Sequence, residues 1–209
     1  GHPVRLNVGI VDVVPKLLAA RLLESTFKQF PGMRLVCWED KLDQLLANLA
    51  IHGLDLVIAD TPAPPTIKVQ VYNHSLGESG VTFFAKSKLA TRYRRNFPRS
   101  LNGAPILLPT SNTMLRRLLD DWFMLQKVIP TVIGEFEDSA TLKAFGQEGH
   151  GLFPIPTVME KEICQQYRVQ VVQRVRSLRQ KFYAITAERR LKHPAVVALF
   201  NAAHREILT

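Results

Sequence analysis

The chain has 209 residues, 46% of them hydrophobic and 22% charged, enough to bury a full core as one large domain or two small lobes. That balance excludes a disordered tail or a fibre, and no apolar run approaches the length needed to cross a bilayer. A net charge of +9 and a sequence pI near 9.8 point to nucleic acid, a membrane surface or an acidic partner. Cys37 and Cys164 make no disulfide framework, which favours a reducing, cytoplasmic setting, and the six histidines form no pair at metal-ligand spacing. The opening Gly1-His2 has neither a Met nor a signal-peptide layout and reads as a scar on a fragment.

The first element is an apolar strand from Leu6 to Val11. It runs through Asp12, Val13 and Val14 into a helix whose first turn holds Pro15 and whose stripe is Leu18, Leu22, Leu23, Phe27 and Phe30. Met33–Trp38 is a second strand, closed by Glu39-Asp40. Leu42, Leu45, Leu46 and Leu49 then recur at helical spacing before Gly53, and Leu54–Asp60 is a third strand. Strand, helix, strand, helix, strand is a right-handed parallel wind, and such sheets place ligands at the carboxyl ends of their strands.

Three prolines make residues 61–65 a rigid loop. Ile67–Tyr72 alternates and is expected to pair as an edge or antiparallel strand. Gly77 and Gly80 precede a strand at Val81–Ala85, the expected first crossing between lobes. The densest basic run, Lys86 to Arg99, interleaves Tyr93 and Phe97 with cations as a single-strand binder would. With no nucleic-acid fold signature around it, it reads instead as a solvated loop between the lobes.

A second wind begins at Ala104–Pro109. Thr110, Ser111 and Asn112 are good N-cap residues before the stripe Met114, Leu115, Leu118, Leu119 and Trp122. Val132–Phe136 is a strand, Asp138-Ser139 caps a helix to Phe145, and Gly149-His150-Gly151 opens the apolar run Leu152–Pro156. Residues 157–166 are helical, Val169–Val172 and Lys181–Ala187 are strands, and Pro194 starts a last helix through Val197, Phe200 and Ala203. The expected architecture is α/β, two Rossmann-like lobes on the plan of periplasmic binding proteins. Residues 1–80 and 181–209 form one lobe, residues 81–180 the other, and a cleft lies between them.

In the order and spacing of the strand-turn-helix at Leu6–Phe30, the strand Leu54–Ile58, the segment Gly149–Pro156 and the helix start His193-Pro194-Ala195-Val196, the chain resembles the effector-binding domain of LysR-type transcriptional regulators over nearly its whole length. Within that family, Ile133–Asp138, Leu142–Gly146 and Ala187-Glu188-Arg189 resemble the activators of a sodium/proton antiporter gene. The resemblance implies a cytoplasmic regulator that answers to sodium or a linked signal. It also implies homodimers or tetramers, with the helix after Pro15 of one chain near the helix after Asn112 of another. DNA would be bound only through an N-terminal winged helix-turn-helix outside these 209 residues, and RNA polymerase would be met by the longer protein.

The acids Asp12, Glu39, Asp40 and Asp60 end three consecutive strands and are expected to converge on one rim, where relatives carry small polar residues. Crowded carboxylates raise one another's pKa unless something positive intervenes. A hard cation held by Asp12, Glu39 and Asp40 would serve, with Thr110, Ser111 and Asn112 adding neutral oxygens and Val13, Trp38 and Phe153 walling the site. The competing reading makes each acid the cap of the helix after it. No cofactor other than a sodium ion is indicated, and no nucleophile elbow, phosphate loop or triad is legible. A solute-binding protein or an enzyme on the same two-lobe plan are the alternatives. A signal peptide would mark the first, turnover the second, and a helix-turn-helix a regulator.

Overall fold

A computed structural model describes residues 4–207, so the Gly1-His2 opening lies outside the described residues. The elements in chain order are β1 (Arg5–Val11), α1 (Lys16–Gln29), β2 (Arg34–Asp40), α2 (Leu42–Ala50), β3 (Leu56–Ala59), β4 (Tyr72–Ala85), α3 (Ser87–Arg94), β5 (Pro105–Pro109), α4 (Met114–Gln126), β6 (Thr131–Phe136), α5 (Ser139–Gln147), β7 (Phe153–Pro156), α6 (Glu160–Tyr167), β8 (Gln170–Thr186) and α7 (Pro194–Ala202). They divide into two compact units, Gly1–Glu78 with Lys181–Thr209, and Ser79–Gln180.

In the first unit β1 lies between β2 and β3, parallel to both, and β8 runs antiparallel to β3 through the pairs Val57 with Ile185 and Ala59 with Tyr183. Leu6 and Val8 of β1, Leu18 and Leu22 of α1, Leu46 and Leu49 of α2, and Leu56 and Ile58 of β3 are each fully buried. The predicted stripe of α1 is buried at Leu18, Leu22 and Leu23, whereas Phe27 is exposed and Phe30 caps the end of the helix, and α7 packs against the same helix. The His193 ring caps α7 by accepting from the Ala195 N–H, with Pro194 in the first turn, where a missing N–H costs nothing.

In the second unit β4 pairs antiparallel with β7, and β5 pairs parallel with β6. Phe83 on β4 is the centre of its core, with the rings of Phe97, Trp122 and Phe123 at centroid distances of 5.9, 5.9 and 6.3 Å. The start of α4 is fixed by Thr113, whose Oγ1 accepts from the Arg116 N–H at 3.2 Å. The cap is one residue past the expected trio Thr110, Ser111 and Asn112. Thr113→Ala is expected to cost about 1 kcal/mol of stability, measurable by urea denaturation.

Four expectations about elements are corrected. Ile67–Tyr72 forms no strand before Tyr72. Pro64 and Pro65 turn the chain, Ile67 N–H donates to the Pro64 carbonyl at 3.1 Å, and the alternating residues have no strand to pair with. Gly77 and Gly80 do not open a new strand but lie inside the single 14-residue β4. A Cβ at Gly80 would stand 3.3 Å from Thr157 Oγ1 and 3.4 Å from the Val175 carbonyl, so this glycine permits a close approach. Most of Val169–Val172 and Lys181–Ala187 belongs to one 17-residue strand, β8, whose middle is polar because only Val172, Val175 and Leu178 face the core there, with exposed residues between them. The basic run is not a loop either: its first half is α3, a helix with Ala90 as its one buried residue.

Candidate functional site

The carboxyl ends of β1, β2 and β3 do bring acids close, but fewer than expected. The Val11–Val14 turn, closed by the Val14 N–H to the Val11 carbonyl at 2.9 Å, places Asp12 and Val13 at its centre. The Asp12 N–H then donates to the Asp40 carbonyl at 3.0 Å, which continues the β1–β2 register by one step. Asp60 follows β3 at 6% exposure, and burial pushes its carboxyl up to about pH 6, with the Asp12 charge adding in the same direction.

Glu39 and Asp40 are neighbours on one strand, so their side chains leave opposite faces of the sheet. Glu39 turns to α1, where its carboxylate meets Lys16 Nζ at 3.2 Å beside Cys37 and Leu35. The Asp40 carboxylate accepts from the Lys41 backbone N–H at 2.8 Å. Lys41 Nζ reaches Asp12 at 3.2 Å. Among the described residues no group of three His, Cys, Asp or Glu side chains is placed to hold a metal ion. The capping reading of these acids also meets a correction. The N-caps of α1 and α2 are Pro15 and Lys41, neither with a side-chain cap bond, while Asp138 does cap α5 through the Ala140 N–H.

The remaining predicted residues have the following surroundings. Trp38 is 56% exposed on β2. Phe153 is fully buried and stacks on Phe84 with centroids 5.8 Å apart, so its ring has no surface to offer a ligand. In the second unit Thr110 Oγ1 donates to Asn112 Oδ1 at 2.6 Å, and Ser111 and Asn112 are exposed. Sequence reasoning missed the two lysines that answer the acids, Lys16 and Lys41. Lys41 directly follows Asp40, and Lys16 opens the helix after Pro15, so both were visible as basic residues at the strand ends.

The first unit also carries an apolar groove of about 440 Å³ between α1 and β2, lined by Ile10, Ala19, Leu23, Phe27, Leu35 and Cys37. The second unit exposes Met124, Leu125 and Ile129 at the end of α4 and beyond it, with Val132 and Ile133 on β6.

Residues 2–207 match the family model of the LysR substrate binding domain. The chain is 30% identical over 203 residues to the transcriptional activator protein NhaR of Escherichia coli, a match covering 97% of this chain and 66% of that protein. It therefore spans about two thirds of the length of the curated relatives it matches. Its fold is that of the reduced OxyR2 regulatory domain from Vibrio vulnificus, at TM-score 0.73 and 16% identity over 96% of this chain and 94% of that one. It is likewise that of a LysR family regulator from Pseudomonas aeruginosa, at TM-score 0.75 and 14% identity over 97% and 70%. No helix among the described residues is long and apolar enough to cross a membrane. The chain belongs to the LysR family of transcriptional regulators, of which it forms the substrate-binding domain.

Proposed function

We propose that this domain is the effector-sensing and dimerising part of a sodium-responsive activator. Its effector, a sodium ion or a small ligand carrying a cationic or hydrogen-bond-donating group, would bind beside Asp12 and Asp60. The observation that carries the reading is a carboxyl almost wholly buried at the end of β3 next to a second acid. Burying a carboxylate is costly, so a ligand that supplies positive charge at Asp60, beside or in place of the Lys41 Nζ that already meets Asp12 at 3.2 Å, offsets part of that cost. Two carboxylates are too few for a divalent ion, which takes about six oxygen ligands or more. Likeness to NhaR supports sodium as the signal, and a ligand favouring one conformation of the domain would shift its population and so the activity of the longer protein.

Sodium is expected to raise the melting temperature above equal concentrations of potassium or choline chloride, as mass action requires of an ion bound only by the folded chain. Asp12→Asn should remove the difference while leaving the fold. Equal shifts with all three salts reject a specific ion site, and a sodium shift that survives Asp12→Asn removes that residue from it.

A further inference from the structure

The second unit, Ser79–Gln180, holds fifteen Lys and Arg against eight Asp and Glu, a surplus of seven out of the +9 of the whole chain. Six of those cations, and none of the acids, fall between Lys86 and Arg99; outside that segment the unit is balanced to within one charge. Lys86, Lys88, Arg92, Arg94, Arg95 and Arg99 are all exposed, at the N-cap of α3, on the helix and in the turn after it. Arg94 is engaged with the Val171 carbonyl at 2.7 Å, and Arg92 lies over the Tyr93 ring at 5.3 Å. Among the described residues Arg92, Arg95 and Arg99 meet no carboxylate. They line an open trough of about 770 Å³ together with Asn96, Ser100 and Asn102.

α3 meets the core through Ala90, Leu89 and Tyr93, which leaves its cations on the exposed side, where they do not serve the core. Surface charge of one sign without counter-ions destabilises a domain by self-repulsion, and a partner that neutralises it offsets that cost. Two macromolecular partners carry the needed charge. A protein partner would want apolar anchors at the centre of its interface, and the large exposed hydrophobic side chains of this chain lie elsewhere, none between residues 86 and 103. Guanidinium forks set among amide and hydroxyl groups match phosphate oxygens instead.

We infer that α3 and the turn after it form a sequence-independent contact surface for the phosphate backbone of duplex DNA. In a DNA-bound regulator such a surface would hold DNA flanking the specific site without reading its bases. This assignment does not depend on where the effector binds.

The test is fluorescence anisotropy of a mixed-sequence duplex titrated with this 209-residue chain. Dissociation constants of roughly 10⁻⁴–10⁻⁶ M are expected, weakening steeply with salt and independent of sequence. Combined Arg92→Ala, Arg95→Ala and Arg99→Ala should weaken binding by at least about tenfold and flatten the slope of log K against log salt by about 3. A control of equal charge change, Arg34→Ala with Arg189→Ala and Arg190→Ala, should shift affinity by less than about twofold if the contact is local. Equal losses in both triple variants, an unchanged slope, or tighter binding of a polyglutamate peptide than of the duplex would each overturn the assignment. All six positions are exposed, so both variants should keep the parent's melting temperature, and matching melting curves secure the comparison.

Discussion

Replacing Asp60 by Asn is expected to stabilise the domain by about 2 to 3 kcal/mol above pH 7 and to change it little at pH 4. The folded carboxyl keeps its proton to about pH 6, whereas the unfolded one releases it near 3.8. Between those values the folded state therefore holds the extra proton, and stability falls as pH rises through the window. Above it, the full cost of an ionised carboxylate at 6% exposure persists. Asn keeps the shape and abolishes the ionisation, so urea denaturation of both proteins at pH 4 and pH 8 separates the charge from the packing. A gain at pH 8 that disappears at pH 4 is the expected pattern; an equal change at both pH values would mean that Asp60 acts through its hydrogen bonds alone. The same linkage sets the sign of the effector response. A cation and a proton compete for the carboxyl, so sodium stabilisation should grow as pH rises through 6.

The second large effect concerns assembly. If the α1 groove of one chain receives the end of α4 and the residues after it from another, Leu125→Glu with Ile129→Glu should weaken the dimer by at least about 100-fold, or about 2.7 kcal/mol or more, in sedimentation equilibrium. Both residues are highly exposed in the isolated chain, so the monomer should remain folded. Phe27→Glu in the facing groove should do the same. In a twofold dimer each contact occurs twice, so mixing the two variants leaves one wild-type contact intact and should restore part of the affinity. Unaltered dimers in both variants would place the interface elsewhere.

Much of the architecture was legible because the core obeys simple periodicities. The α1 stripe, the parallel β1–β2–β3 wind, the Asp138 cap and the Pro194 helix start each rest on residues whose burial or backbone chemistry allows little else. The failures have physical causes. In β4 and β8 long strands carry glycines and cations where they need no side-chain packing or face solvent, and such residues read as breaks. The α3 helix fully buries only Ala90, and its half-buried Leu89 and Tyr93 are set among cations that mask the helical spacing. At the site, the convergence of strand ends was legible but the sheet's alternation was not applied to Glu39 and Asp40, which a period of two must send to opposite faces. Lys16 and Lys41 are visible as basic residues at the strand ends, but their pairing with Glu39 and Asp12, distant in sequence, leaves no pattern in a single sequence.

The most direct measurement is the line width of the sodium NMR signal as the domain is added. Broadening that Asp12→Asn and Asp60→Asn each abolish, and that excess potassium fails to compete away, is the result predicted for an ion held at the ends of β1 and β3. Broadening of equal size in the parent and both variants would contradict it.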